Sequence, residues 1–331
     1  MTALPPLSIL DLAPVVEGAT TRDALLNSLD LVKLADEVGY RRYWVAEHHN
    51  MEGVASSATA VLIGQLAASS RRIRVGSGGI MLPNHAPLTI AEQFGTLAEL
   101  FPGRIDLGLG RAPGTDRPTM HALRRSLQNT GEDAFPNDVL ELQAFLARDD
   151  GHAAVRAVPG QGTEVPLWLL GSSLYGAQLA AHLGLPFAFA SHFAPDMLMQ
   201  ALQIYRATYQ PSARHPKSYA MVGLNVVVAP TDEEARRLFT SVQQRFLGMV
   251  RGQRGKLPPP LDNMAALWSP TEELQVQRML AESIVGSPQT VRAGLAATAE
   301  RTGADEFIVA CAVHDHGLRR RSYELLATLA G

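Results

Sequence analysis

The residues able to do chemistry fall in a few short segments. In Glu47-His48-His49-Asn50 two imidazoles lie side by side, each able to gain or lose a proton near neutral pH. Adjacent residues of an extended segment point to opposite faces, so they make a poor metal pair. Either one acts as an acid or base, or one hydrogen-bonds a carboxylate and fixes the loop. His314-Asp315-His316 adds two more imidazoles. A metal-dependent hydrolase built on His48, His49, His314 and His316 therefore stays open, although no His-Glu-x-x-His helix pair is present. Gly76-Ser77-Gly78-Gly79 is nearly free of side chains. A flat ligand could lie against it, or it forms a bulge or tight turn. Arg111 follows Gly108-Leu109-Gly110, and its forked donors suit a phosphate as well as a salt bridge. Gly171-Ser172-Ser173-Leu174-Tyr175-Gly176 opens a helical segment, where free N–H groups, the positive dipole end and two hydroxyls converge. A serine there could equally be only a helix cap. Together with Arg111, this helix start makes a phosphate clamp.

Such groups need a scaffold, and short apolar segments alternating with longer ones of helical period predict repeated βα units on a parallel sheet. Eight strands are expected, at 7–12, 43–46, 73–79, 104–109, 167–170, 186–190, 219–229 and 306–311. The count fits a single α/β domain over residues 1–331, a (β/α)8 TIM barrel in which reactive residues lie at the C-terminal strand ends. Helices are expected at about 57–68, 88–100 and 232–249, with another begun by Ser287-Pro288 and a closing one over 323–329. Two insertions interrupt the rhythm, one after strand four at 112–136 and one between strands seven and eight. The second includes a Gly/Pro/Lys-rich stretch at 251–260, a candidate lid. An open doubly wound sheet is disfavoured because Gly108-Leu109-Gly110 has Pro113 where a nicotinamide fingerprint needs its third glycine.

With 29 Lys and Arg against 32 Asp and Glu, the net charge of −3 gives no basic stripe for nucleic acid or an anionic membrane. The one cysteine, Cys311, lies in an apolar run and is expected to be a buried hydrophobe in a reducing compartment. No positively charged leader and no membrane-length apolar stretch is evident, so the chain reads as cytoplasmic.

Several segments in this order and spacing resemble the bacterial luciferase-like flavin monooxygenases over almost the whole chain. They are Ala46-Glu47-His48-His49-Asn50, the run from Val75 to Pro83, Leu100-Phe101-Pro102-Gly103-Arg104-Ile105-Asp106, the run from Gly108 to Asp116, and Leu170-Gly171-Ser172-Ser173. The resemblance implies a barrel that commonly dimerises and holds FMN with its ring in the mouth. Arg111, Gly171, Ser172 and Ser173 would hold the phosphate, with Tyr175 and Gly176 nearby. Gly78 and Gly79 would lie beneath the ring, joined by a non-prolyl cis peptide as in luciferases. His48 matches the luciferase acid/base histidine, and His49, His192 and Phe193 become substrate-side candidates. Gly110 stands where luciferase has a reactive cysteine, so aldehyde-dependent light emission is not implied. The implied reaction is that of a two-component monooxygenase. FMNH2 from a separate NAD(P)H:flavin reductase and O2 would together oxidise an organic substrate. An F420-dependent dehydrogenase of the same superfamily and a flavin-binding protein without turnover are the alternatives.

Overall fold

Strand and helix alternate because apolar, β-branched runs able to pack on both faces are separated by segments with one apolar stripe. The computed structural model describes residues 4–112, 115, 117–123, 134–148 and 154–329. Its strands are β1 (Leu7–Asp11), β2 (Arg42–Val45), β3 (Arg74–Met81), β4 (Ile105–Gly110), β5 (Leu167–Gly171), β6 (Phe187–Phe189), β7 (Ala220–Val228), β8 (Ser283–Gly286) and β9 (Glu306–Ala310). Helices α1 (Thr21–Glu37), α2 (Thr59–Ala68), α3 (Pro87–Leu100), α4 (Arg117–Ala122), α5 (Phe135–Leu146) and α6 (Leu174–His182) fill the first half of the chain. Then follow α7 (Leu198–Thr208), α8 (Asp232–Val250), α9 (Pro270–Met279), α10 (Pro288–Thr302) and α11 (His316–Ala327).

All pairings between these strands are parallel, and the order β6-β5-β4-β3-β2-β1-β9-β7 closes through a β6–β7 pairing into an eight-stranded barrel. The expected (β/α)8 architecture is therefore present, with one strand more than the sequence reading gave. β7 pairs with β9 over Met221–Asn225 and then, past the end of β9, with β8 over Asn225–Val228. At four residues, Ser-Ile-Val-Gly, β8 is too short to stand out as a run. The reading also missed α9, although Ser269 and Glu272 form a capping box at its start, and it began the closing helix seven residues late. The helix begun by Ser287-Pro288 is α10, capped by the Ser287 hydroxyl as expected. Of the insertion after β4, residues 113, 114, 116 and 124–133 lie outside the described residues.

Inside the barrel, Leu10, Trp44, Trp168, Ala188, Met221 and Ile308 form one apolar layer, with Trp44 and Trp168 edge to face at 5.2 Å. Below it, at the N-terminal strand ends, lies a buried charge network. Arg42 donates to Asp106 at 2.7 Å and to Glu306 at 3.0 Å, its guanidinium stacked 4.7 Å from the Trp168 ring. Trp44 and Arg74 also donate to Asp106, and Ser8 and Tyr219 to Glu306. The bottom of the barrel is thus filled by paired charges under the aromatic layer. Among the described residues no helix is long and apolar enough to cross a membrane.

Because Asp106 and Glu306 are fully buried, removing Arg42 takes from Glu306 its nearest cation and leaves Asp106 on Arg74 alone. Arg42→Met is expected to lower stability by about 3–5 kcal/mol. A urea-unfolding midpoint unchanged from wild type would contradict this role for the floor.

Candidate active site

At the open end the barrel wall is thinned at β3. The Gly78–Gly79 peptide is cis, and the β3–β4 register slips between Ser77 and Ile80, where the Ser77 hydroxyl donates to Gly108 O at 2.8 Å. A methyl group added at Gly78 would lie 2.7 Å from Leu10 Cδ1 and 3.2 Å from Trp44 Cβ. One added at Gly79 would lie 2.7 Å from Gly108 O. At Gly79 the Gly108 backbone leaves no room for a side chain, and at Gly78 one would have to displace Leu10, so the pair forms a flat backbone shelf directly above the Leu10–Trp44 layer.

The neighbouring rim is organised by Glu47, which is buried just past the end of β2. Its carboxylate accepts from His49 Nε2 and His85 Nε2 at 2.8 Å each, and from the Met81 N–H at 3.0 Å. Burial pushes this carboxyl up, but the bond and charge of His85, with His49 and Met81, outweigh it and keep the group ionised below the usual range. His49 is thus the imidazole that fixes the loop, and its backbone oxygen accepts from Thr115 at 3.2 Å. His48 is not drawn to Glu47; its Nδ1 is shut off from water with no partner.

Next to β3 in the barrel, at β4 and β5, the arginine and helix start expected to clamp a phosphate lie on neighbouring strand ends. The Arg111 guanidinium stacks 4.1 Å from the centroid of the Tyr175 ring. Ser173 is the N-cap of α6, yet its hydroxyl caps nothing, leaving the first N–H groups of the helix open to an anion. The half-buried Gly171 and Gly176 pack so closely that a methyl on either would lie 3.5 Å from the other's Cα. Ser172 is half-buried and Ser173 exposed beside them.

After β6, the ring of His192 packs edge to face on the 39% exposed Phe193, centroids 5.0 Å apart. Its Nδ1 has no partner and faces β7, where a methyl on Gly223 would lie 2.6 Å away. The rest of the histidine set goes elsewhere. His314 Nε2 lies 3.1 Å from Glu17 O, and His316 Nε2 lies 2.8 Å from Asp30. Among the described residues no three His, Cys, Asp or Glu side chains group around a metal position. Cys311 is buried, its thiol 3.6 Å from the Ser322 hydroxyl and its pKa raised by burial.

The sequence reading missed two contributors. His85 is the second donor to Glu47, and its signal was a polar residue just beyond β3, next to the strand end carrying Glu47. Arg245, on α8, places its charge against both His48 and His192. Its signal was a cation in the buried stretch between Val242 and Phe246. The 251–260 stretch, which the sequence reading placed in a candidate lid, is tied down. Leu257 exchanges backbone bonds with Val15 and Glu17, and Lys256 donates to Ala19 O at 2.9 Å.

The family model for luciferase-like monooxygenases matches residues 8–306. The chain belongs to the luciferase-like monooxygenase family. A luciferase-like monooxygenase of Escherichia coli strain K12 is 57% identical over 319 residues, 96% of this chain and 95% of that protein. An N-acetyl-S-alkylcysteine monooxygenase of Bacillus subtilis strain 168 is 33% identical over 97% of each chain. Among solved structures, apo-MsnO8 superposes with a TM-score of 0.87 at 37% identity over 98% of each chain. The fold alone is shared with the oxygenating constituent of 3,6-diketocamphane monooxygenase from Pseudomonas putida, solved with FMN. That match has a TM-score of 0.72 at 20% identity, over 98% of this chain and 97% of that one.

In this family member the mouth histidines are held uncharged. Burial first, then the charge of Arg245, lowers His48 and His192 each to about 4, with Glu47 pulling His48 partly back. Unfolded histidine titrates near 6.5, so between these values the unfolded chain binds more protons than the folded one. Stability is therefore expected to be full above about pH 6.5 and to fall as the pH drops toward 4. In urea midpoints measured across that range, His48→Asn and His192→Asn should each flatten the decline. An undiminished slope in both variants would show that these imidazoles do not carry it.

Proposed function

We propose that this chain is the oxygenase component of a two-component flavin monooxygenase, taking reduced FMN from a separate NAD(P)H:flavin reductase. The observation carrying this reading is that two features sit at the C-terminal ends of neighbouring strands: the glycine shelf on β3, and the uncapped α6 start after β5 with Arg111, after β4, stacked on Tyr175. The shelf suits a planar ring, and the helix start with its arginine suits a phosphate. Bound FMNH2 would supply two electrons to O2, so that one oxygen atom enters the organic substrate and the other leaves as water.

The protein's own part is to bind, orient, exclude water and move a proton. Gly171, Ser172, Ser173 and Gly176 offer backbone and hydroxyl donors to the phosphate, while Arg111 supplies charge. Gly78 and Gly79 set how deep the ring descends, because Leu10 and Trp44 fill the barrel immediately below. The pinned 251–260 strap roofs the β1 side of the mouth, where shielding from water protects a reactive oxygen species from loss. His48, neutral and with Nδ1 unpartnered, is the group at which a proton would be taken up. His192 and Phe193 face the substrate, and His49 serves it indirectly by holding the loop.

Anaerobic titration with FMNH2, and parallel titrations with FMN and F420, test the reading. The flavin should be preferred over F420, and Arg111→Ala should weaken its binding about tenfold or more, the scale of a lost charge-assisted phosphate contact. His48→Gln should leave that binding intact while lowering substrate-coupled O2 consumption. Preference for F420 would move the protein to hydride transfer, and no binding of any of the three would overturn the cofactor assignment.

A further inference from the structure

The wall opposite the glycine shelf is built around one imidazole. In the closed strand order β7 stands four strands from β3 in either direction, so the two face each other across the barrel. Inward and outward residues alternate along a strand, and Met221 belongs to the apolar layer inside the barrel. Gly223 and Asn225 therefore also face inward, at the next two inward positions above that layer. The shelf stands on the same layer, since a methyl on Gly78 would meet Leu10 and Trp44.

The space that a side chain at Gly223 would take is filled by His192. A methyl there would lie 2.6 Å from His192 Nδ1 and 3.5 Å from its Cε1. The turn carrying the ring is tied to β7 twice. Ser191 Oγ donates to Gly223 O at 2.7 Å, and Asn225 Nδ2 donates to His192 O. Asn225 sits where β7 changes partner, opposite Ala310 of β9 and Ser283 of β8, and its amide also donates to Ser283 Oγ at 3.3 Å.

That seat decides which ring nitrogen carries the proton. Nδ1 is shut off from water against the wall and has no hydrogen-bond partner. A buried N–H without an acceptor is rarer than a buried acceptor without a donor, so Nδ1 is the bare nitrogen of the neutral ring. The proton is then on Nε2, which has no partner among the described residues and is not shut off from water. Its N–H is left for a ligand.

We propose that β7 builds the substrate wall of the mouth: Gly223 and Asn225 position His192 so that its Nε2–H donates to a carbonyl or equivalent oxygen acceptor of the organic substrate. The acceptor end of the substrate then rests on the β7 side, with the atom to be oxidised between it and the shelf. Gly223 and Asn225 act only through His192. This rests on reading the mouth as an oxygenase pocket.

The test uses the full-length protein without flavin or O2, so its failure is distinct from failure of the cofactor assignment. Ring-nitrogen NMR signals of His192 are assigned by their loss in His192→Phe. In wild type they should report one tautomer, protonated at Nε2. Asn225→Asp, which keeps the shape but loses the amide donor, should mix the two tautomers, and Asn225→Gln should restore part of the single form. Gly223→Ala should displace the ring. Cyclohexanone should shift the Nε2 signal saturably. It should bind about two- to tenfold tighter than methylenecyclohexane, which has its shape but no oxygen acceptor, a preference that His192→Phe abolishes. A parallel FMN titration should show Asn225→Asp and His192→Phe binding the flavin as wild type does. A wild-type ring protonated at Nδ1, a tautomer unchanged in both Asn225→Asp and Gly223→Ala, no saturable response to cyclohexanone, or equal binding of ketone and alkene would overturn the proposal. So would a loss of FMN affinity in His192→Phe, which would assign the imidazole to the cofactor.

Discussion

The geometry of the mouth depends on one buried carboxylate. An ionised Glu47 away from water must collect donors, and it finds them on two strand ends: His49 just past β2, and Met81 and His85 at the end of β3 and beyond. That requirement joins the two loops and turns His49 inward to Glu47. Residues adjacent on an extended segment diverge, so His48 is directed elsewhere. The same bond to Met81 holds the top of β3, the strand whose Gly78 and Gly79 form the shelf. A single acid thus positions the proton-handling group and the binding surface relative to each other without touching a ligand itself.

Around that anchor the barrel separates its charges by height. The floor is fully paired, with Arg42 and Arg74 against Asp106 and Glu306 under an aromatic layer. The mouth keeps its histidines neutral by burial and by the nearby arginine, and its buried acid Glu47 is held by three donors. The floor resists disruption because each charge has its partner. The mouth retains unsatisfied groups, the His48 and His192 imidazoles with Nδ1 unpartnered, and such groups mark places where binding supplies what folding did not.

Much of this could be read from the chain. The eight barrel strands and the capping of α10 by Ser287 follow from apolar runs, turn residues and cap signals, which are local. The nearness of Arg111 to the start of α6 was also anticipated, because junctions on adjacent strands of a barrel must be neighbours. What escaped was long-range. His85 reaches Glu47 across 38 residues, and Arg245 acts on groups from strands on opposite sides of the barrel. Such contacts depend on loop paths that no period encodes. β8 escaped for another reason: it extends the sheet only where β7 outruns β9, a consequence of strand length in three dimensions.

The most direct test of the central claim, that this mouth is a flavin site, is a crystal structure of the protein with FMN. The isoalloxazine ring should lie against the Gly78–Gly79 shelf, with the phosphate within hydrogen-bonding reach of the first N–H groups of α6 and of Arg111. A phosphate bound at Arg245, or a ring placed away from β3, would contradict the account.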